Sequence, residues 1–157
     1  NFFEKNDGFE AVYSNYYVLN EAKNKKYVQH NVSLPSGSIT QRLLDYYSVG
    51  ILTTFLKRGV FEKYKFNKNY SVIGDFDFFI NLSQRSKIGS INENLAFYRI
   101  HESNFSIKNL DLYIKELENW IKDNDENISN KGFSLKKQKI LLKKLKVKFF
   151  LKNFLRF

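Results

Sequence analysis

Between Phe9 and Glu21 the chain reads FEAVYSNYYVLNE, a run so rich in aromatic and β-branched residues that it predicts a strand. The preceding NFFEKND, followed by Gly8, predicts the last turn of a helix closed by a left-handed glycine. The polar NEAKNKK predicts a turn and KYVQHNV a returning strand, which together make a hairpin. SLPSGSIT, with Pro35 and Gly37, predicts a loop. In ITQRLLDYYSV the apolar positions Ile39, Leu43, Leu44 and Tyr47 fall at helical spacing, with Ser38 or Thr40 as the cap. GILTTFLKR then predicts a buried strand and GVFEKY a short helical turn.

Further on, NKNYSVIGDFDFFINLSQR predicts a helix through Phe78, Phe79 and Leu82, with Asp75 placed to cap it and Gly74 loosening the approach. KIGSINENLAFYRI returns as a strand and HESNFS as a polar loop. NLDLYIKELENWIKDN is an amphipathic helix with Leu110, Ile114, Leu117 and Ile121 in its stripe. The polar stretch that follows, DNDENISNKG, reads as a linker. Strands interleaved with helices, with polar loops at strand ends, predict an α/β domain.

Composition narrows this picture. At 157 residues the chain is long enough for one domain with its own core. It has no cysteine, which excludes disulfides, thiolate nucleophiles and cysteine-ligated zinc. It has no methionine and begins at Asn1, so an interior piece of a longer protein is the expectation. Hydrophobic residues at 43% and aromatics at 17% argue against disorder. The net charge of +10 is uneven: residues 134–157 hold nine basic groups and no acid, leaving 17 basic and 16 acidic groups in the body. Three segments follow, a body over 1–122, a linker over 123–133 and a basic helix over 134–157.

The most informative local feature is Asp75-Phe76-Asp77, two carboxylates at a helix mouth where backbone N–H groups and the dipole favour an anion. A carboxylate in a partly apolar cleft serves as a general base when its proton target is within hydrogen-bond reach. The plain alternative makes Asp75 a cap and Asp77 an exposed first-turn acid. As a D-x-D chelate the pair needs a non-helical backbone, because positions i and i+2 on a helix point roughly 200° apart. His101, just past a predicted strand in FYRIHESNFS, is a candidate metal or phosphate ligand or a surface residue, and Arg99 beside it a candidate anion contact or ion-pair partner. His30 has no partner in the sequence. No HExxH, nucleophile elbow, Walker loop or GxGxxG is present.

In order, these features resemble the second half of a family 2 inverting glycosyltransferase. That family's pattern is an aromatic-rich segment, an acidic D-x-D motif opening a helix, and a strand ending in Y-R-x-H-x-x-N-x-S. The matching residues are Gly74, Asp75, Asp77 and Leu82, then Tyr98, Arg99, His101, Asn104 and Ser106. The resemblance covers roughly residues 1–120. It implies a partial GT-A fold lacking its N-terminal nucleotide-binding strands, and sugar transfer from a nucleotide-sugar to a saccharide or lipid-linked acceptor with inversion. Asp75 would be the base that deprotonates the acceptor hydroxyl and Asp77 would support it on the acceptor side. Arg99 and His101 would lie by the diphosphate, with His101 a ligand of a divalent cation (Mn or Mg) whose other ligands lie outside the chain. Gly74 stands where the family carries an acid. With the donor half absent, the isolated chain is expected to be inactive. Cell-surface polysaccharide synthesis is the setting implied, at the cytoplasmic face of the membrane.

In SLKKQKILLKKLKVKFFLKNFLRF, Lys144, Lys148, Lys152 and Arg156 recur every four residues, along one slowly drifting helical stripe. Val147, Phe150, Leu151, Phe154 and Phe157 occupy the other side. A basic amphipathic helix of this kind predicts contact with an anionic membrane surface, each cation contributing about 1 kcal/mol. The alternative is that the helix packs on the body. Nucleic acid ranks below both, because the body is nearly neutral and lacks a stacking motif. The rival to an enzyme is a non-catalytic membrane- or nucleic-acid-binding domain.

Overall fold

The computed structural model describes residues 2–101 and 104–154, with the backbone alone for Ser106 and Ile107. Arg156 and Phe157, both expected tail contacts, lie outside the described residues. The chain is α/β, built on one mixed four-stranded sheet whose organising strand is β1 (Phe9–Asn20). A short helix, α1 (Phe2–Lys5), leads into it through Gly8, whose φ of +86° suits a residue without Cβ.

Parallel β4 (Lys87–Ile100) runs beside β1 from Phe9 to Asn20. The opposite edge of β1 is shared. β3 (Phe55–Leu56) pairs antiparallel with Ala11 and Val12, and β2 (Lys25–Val28) pairs antiparallel with Tyr17 to Asn20. Ala11 to Asn15 are buried without interruption, as expected for a strand enclosed on both faces.

A parallel pair needs a long crossover. Here it carries α2 (Thr40–Asp45), a 3₁₀ turn (Ile51–Thr53), α3 (Val60–Lys63) and α4 (Gly74–Ser83). The helix expected over ITQRLLDYYSV stops at Asp45, where Tyr46 turns extended. The strand expected over GILTTFLKR shrinks to two residues. Beside it the Thr53 hydroxyl accepts the Ser14 N–H at 3.2 Å and reaches the carbonyls of Ser14 and Gly50, so a side chain replaces a backbone ladder.

After β4 come α5 (Phe105–Lys108), α6 (Leu110–Asn130) and α7 (Lys136–Phe154). Of the segment expected as a linker over 123–133, residues 123–130 are instead the last turns of α6. Ile128 is fully buried there, seven residues beyond Ile121 on the same stripe, so the polar letters around it decorate an exposed helix face. The helix ends at Gly132 (φ +79°), with Gly132 N–H on Ser129 O at 2.9 Å and Phe133 N–H on Ile128 O at 3.0 Å, a Schellman closure.

The core lies between the sheet, α2, α4 and α6. Tyr13, Leu43, Leu44, Phe78, Phe79, Leu117, Trp120 and Ile128 are all within 1% of full burial. Leu135 and Gln138 bring the start of α7 into it, the Gln138 amide donating to Leu44 O at 2.7 Å. Among the described residues no helix is long and apolar enough to cross a membrane.

Candidate active site

A cavity of about 670 Å³ opens where β1 and β4 meet the crossover helices. Tyr16 and Tyr98 form the sheet side, their rings edge-on at 6.3 Å. Tyr46 and Tyr47 arrive from the end of α2, Asp75 from the first turn of α4 and Tyr113 from α6. The start of α7 supplies a further wall through Lys137, Gln138 and Leu141. Gly50 lets the backbone press against the sheet: a Cβ there would lie 2.6 Å from Tyr16 Cε1. Burial pushes the Tyr16 phenol up to about 12, helped by Tyr98, Tyr46 and Asp75 nearby.

Asp75 does not cap α4. The residue before the helix, Ile73, makes no side-chain cap. The free N–H groups approaching the helix are taken by Glu116, which reaches across from α6. Its Oε1 accepts Ser71 N–H at 2.8 Å, and its Oε2 accepts Val72 and Ile73 N–H at 2.9 and 3.1 Å. An anion at that end is also favoured by the helix dipole. Asp75 faces the cavity while its Oδ1 accepts a first-turn N–H of the helix, that of Phe76 at 2.7 Å. Burial raises its pKa above the ordinary 3.8, opposed by the backbone N–H groups of Phe76 and Asp75 and by the Tyr47 hydroxyl. That hydroxyl is close enough to favour the ionised carboxylate without reaching hydrogen-bond geometry.

Asp77 belongs to the core. It is 6% exposed, and its Oδ1 accepts the Trp120 indole N–H at 2.8 Å and the Asn81 amide at 3.0 Å. Burial raises its pKa, and these two donors offset part of the rise. With Asp75 facing the cavity and Asp77 committed to Trp120, the two carboxylates do not form one chelate. Among the described residues no three His, Asp or Glu converge where a metal ion could sit, so a divalent cation does not fit this donor set by itself.

Arg99 and His101 lie at the far end of β4. Tyr98 lines the cavity, and its neighbour Arg99 therefore points to the other face of the sheet, where Nε meets Glu21 Oε1 at 3.3 Å. His101 follows the strand. Its N–H donates to Asn104 Oδ1 at 2.6 Å, and the Asn104 N–H returns to His101 O at 3.1 Å. The Asn104 amide also reaches Arg99 O at 3.3 Å, so this asparagine closes the turn that carries both residues. Neither Arg99 nor His101 lines the cavity that holds Asp75.

The expected tail residues Lys144, Lys148, Lys152, Phe150 and Phe154 all lie exposed on α7. The sequence reading missed Glu116 and the tyrosine walls. Glu116 carried a signal: it sits between Tyr113 and Trp120 on the apolar side of α6, where a charge needs a partner. Comparison with models of known families and with curated proteins finds no match.

Proposed function

We propose that the chain is the acceptor-side part of an inverting sugar transferase, with the tyrosine-walled cavity holding a saccharide and Asp75 acting as general base. The observation that carries this reading is the division of labour between two carboxylates. Glu116 holds the approach to α4, and Asp75 faces a cavity of sugar dimensions with its pKa raised above the ordinary 3.8 by burial. A base of that kind holds less tightly to its ionised state and takes a proton more readily.

Asp75 would accept the proton of the acceptor hydroxyl as its oxygen bonds to the anomeric carbon of the donor sugar. The bond from that carbon to the nucleotide diphosphate would break on the opposite face, which inverts the centre. Tyr16, Tyr46 and Tyr98 offer ring faces and hydroxyls to the acceptor, and their rigidity lowers the entropy lost on binding. Asp77 acts through the core, fixing α4 against α6, rather than on the acceptor. A diphosphate role for Arg99 and His101 gains no support from the cavity, which neither residue lines. The place of action is the cytoplasmic face of a membrane, where the chain would be peripheral.

The test is an NMR titration of the chain with a panel of neutral and acidic oligosaccharides. Shifts concentrated at Tyr16, Tyr46, Gly50, Asp75 and Tyr98 are expected, and an absence of shifts across the panel would sink the acceptor reading. The chain alone is expected to turn over no UDP- or GDP-sugar, and measurable turnover would overturn the half-site division.

A further inference from the structure

The low amphipathicity of α7 has a geometric origin: the helix has two apolar faces, turned roughly 180° apart at 100° per residue. The inner face comprises Leu141, Leu142 and Leu145, packed against the core, and is pinned by two ion pairs to α6, Lys139–Asp125 at 2.7 Å and Lys146–Glu118 at 2.5 Å. The outer face is a ridge at helical spacing i, i+3, i+4, i+7: Val147, Phe150, Leu151 and Phe154 are 58, 64, 48 and 67% exposed. The Phe150 and Phe154 rings stack at 5.8 Å. Lys143, Lys144 and Lys148 adjoin this ridge, and among the described residues none of them pairs with an acid. Lysine stems, Val147 and Leu151 together line a shallow groove of about 430 Å³.

We propose that this outer ridge docks on an anionic lipid bilayer, with α7 lying in the plane of the interface. Exposed phenylalanine and leucine flanked by unpaired lysines match an acyl boundary beneath negative headgroups, and lysine stems can lie along the apolar surface while their ammonium groups reach phosphate. The charge argues against a second copy of the chain as occupant, since each copy brings +10 and the ridge has no acids to meet it. The proposal gives a contact surface to the peripheral placement proposed above, on which it rests, and is independent of sugar transfer.

The experiment is co-sedimentation of the full chain with vesicles of phosphatidylglycerol and phosphatidylcholine, and with vesicles of phosphatidylcholine alone. Binding stronger by on the order of tenfold or more on the anionic vesicles is expected, falling as salt is raised. The double variant Phe150→Ser, Phe154→Ser should lose that binding with an unchanged circular dichroism spectrum and melting midpoint, because both rings lie outside the core. Asp75→Asn should bind vesicles as the wild type does, which separates failure of docking from failure of the acceptor site. Equal binding to both vesicle types, no binding, or undiminished binding by the phenylalanine variant would overturn the proposal. So would a concentration-dependent dimer abolished by that variant, which would assign the ridge to a second copy.

Discussion

The Trp120 indole donates to Asp77 Oδ1 at 2.8 Å, tying the middle of α6 to the first turn of α4 through a buried carboxylate. This bond separates the roles of two acids that are only two residues apart. Trp120→Phe keeps most of the ring but removes the donor, and should cost about 1.5–3 kcal/mol, the range for a bond to a charged group. Asp75→Asn retains an acceptor for the Phe76 N–H and should cost less than about 1 kcal/mol. Urea midpoints of the two variants check the order. A larger loss for Asp75→Asn would make Asp75 the structural acid.

Glu116 makes a second prediction, because one side chain serves three backbone donors from another element. Glu116→Ala should destabilise the chain by about 2–4 kcal/mol, since the Ile73 N–H is buried and is left without an acceptor. Glu116→Gln, with one acceptor oxygen, should recover part of that. Hydrogen exchange gives the local readout: the amides of Val72 and Ile73 should lose protection in both variants, and unchanged exchange would remove Glu116 from the capping role.

Acid should act on this fold in two opposite senses. His30 is 6% exposed, with Nε2 unpartnered and the Tyr46 hydroxyl 3.5 Å from Nδ1, and burial lowers its pKa from 6.5. The unfolded chain therefore binds this proton more readily, and stability present above pH 6.5 is lost as pH falls toward the folded value. Asp75 and Asp77 are shifted the other way, upward from 3.8 by burial. The folded chain binds their protons more readily, so each adds stability as pH falls through its folded value, in full by the unfolded 3.8. The urea midpoint of His30→Gln minus that of the wild type should rise as pH drops below 6.5. For Asp75→Asn the same difference should fall toward pH 4, because the wild type gains stability there and the variant does not. A difference independent of pH in either case would contradict the corresponding burial.

Much of the fold was legible because the signals were local. The aromatic and β-branched run of β1, the returning strand β4, Gly8 as a left-handed closure and the apolar helix at Gly74 each depend on neighbours in sequence. The segment leading into α4 is held by Glu116, more than forty residues away from the N–H groups it accepts, a partnership no local signal reveals. The linker reading failed because DNDENISN is polar on average, whereas its one apolar residue, Ile128, continues the buried stripe of α6. The tail reading named one apolar face, Val147 to Phe157, and left Leu141, Leu142 and Leu145 unassigned. Only the positions of Leu141 and Leu145 against the core reveal that there are two.

The construction of α7 also determines where the chain can be shortened. Leu135 and Gln138 seal the core and Leu141 walls the cavity, so a cut before residue 136 would expose Leu44 and open the cavity to solvent. Among the described residues beyond Lys146, which bonds Glu118 on α6, every position of the helix but Phe149 is exposed. The first half of α7 is therefore part of the domain, while the second half is an appendage that can be trimmed, lengthened or exchanged without disturbing the fold.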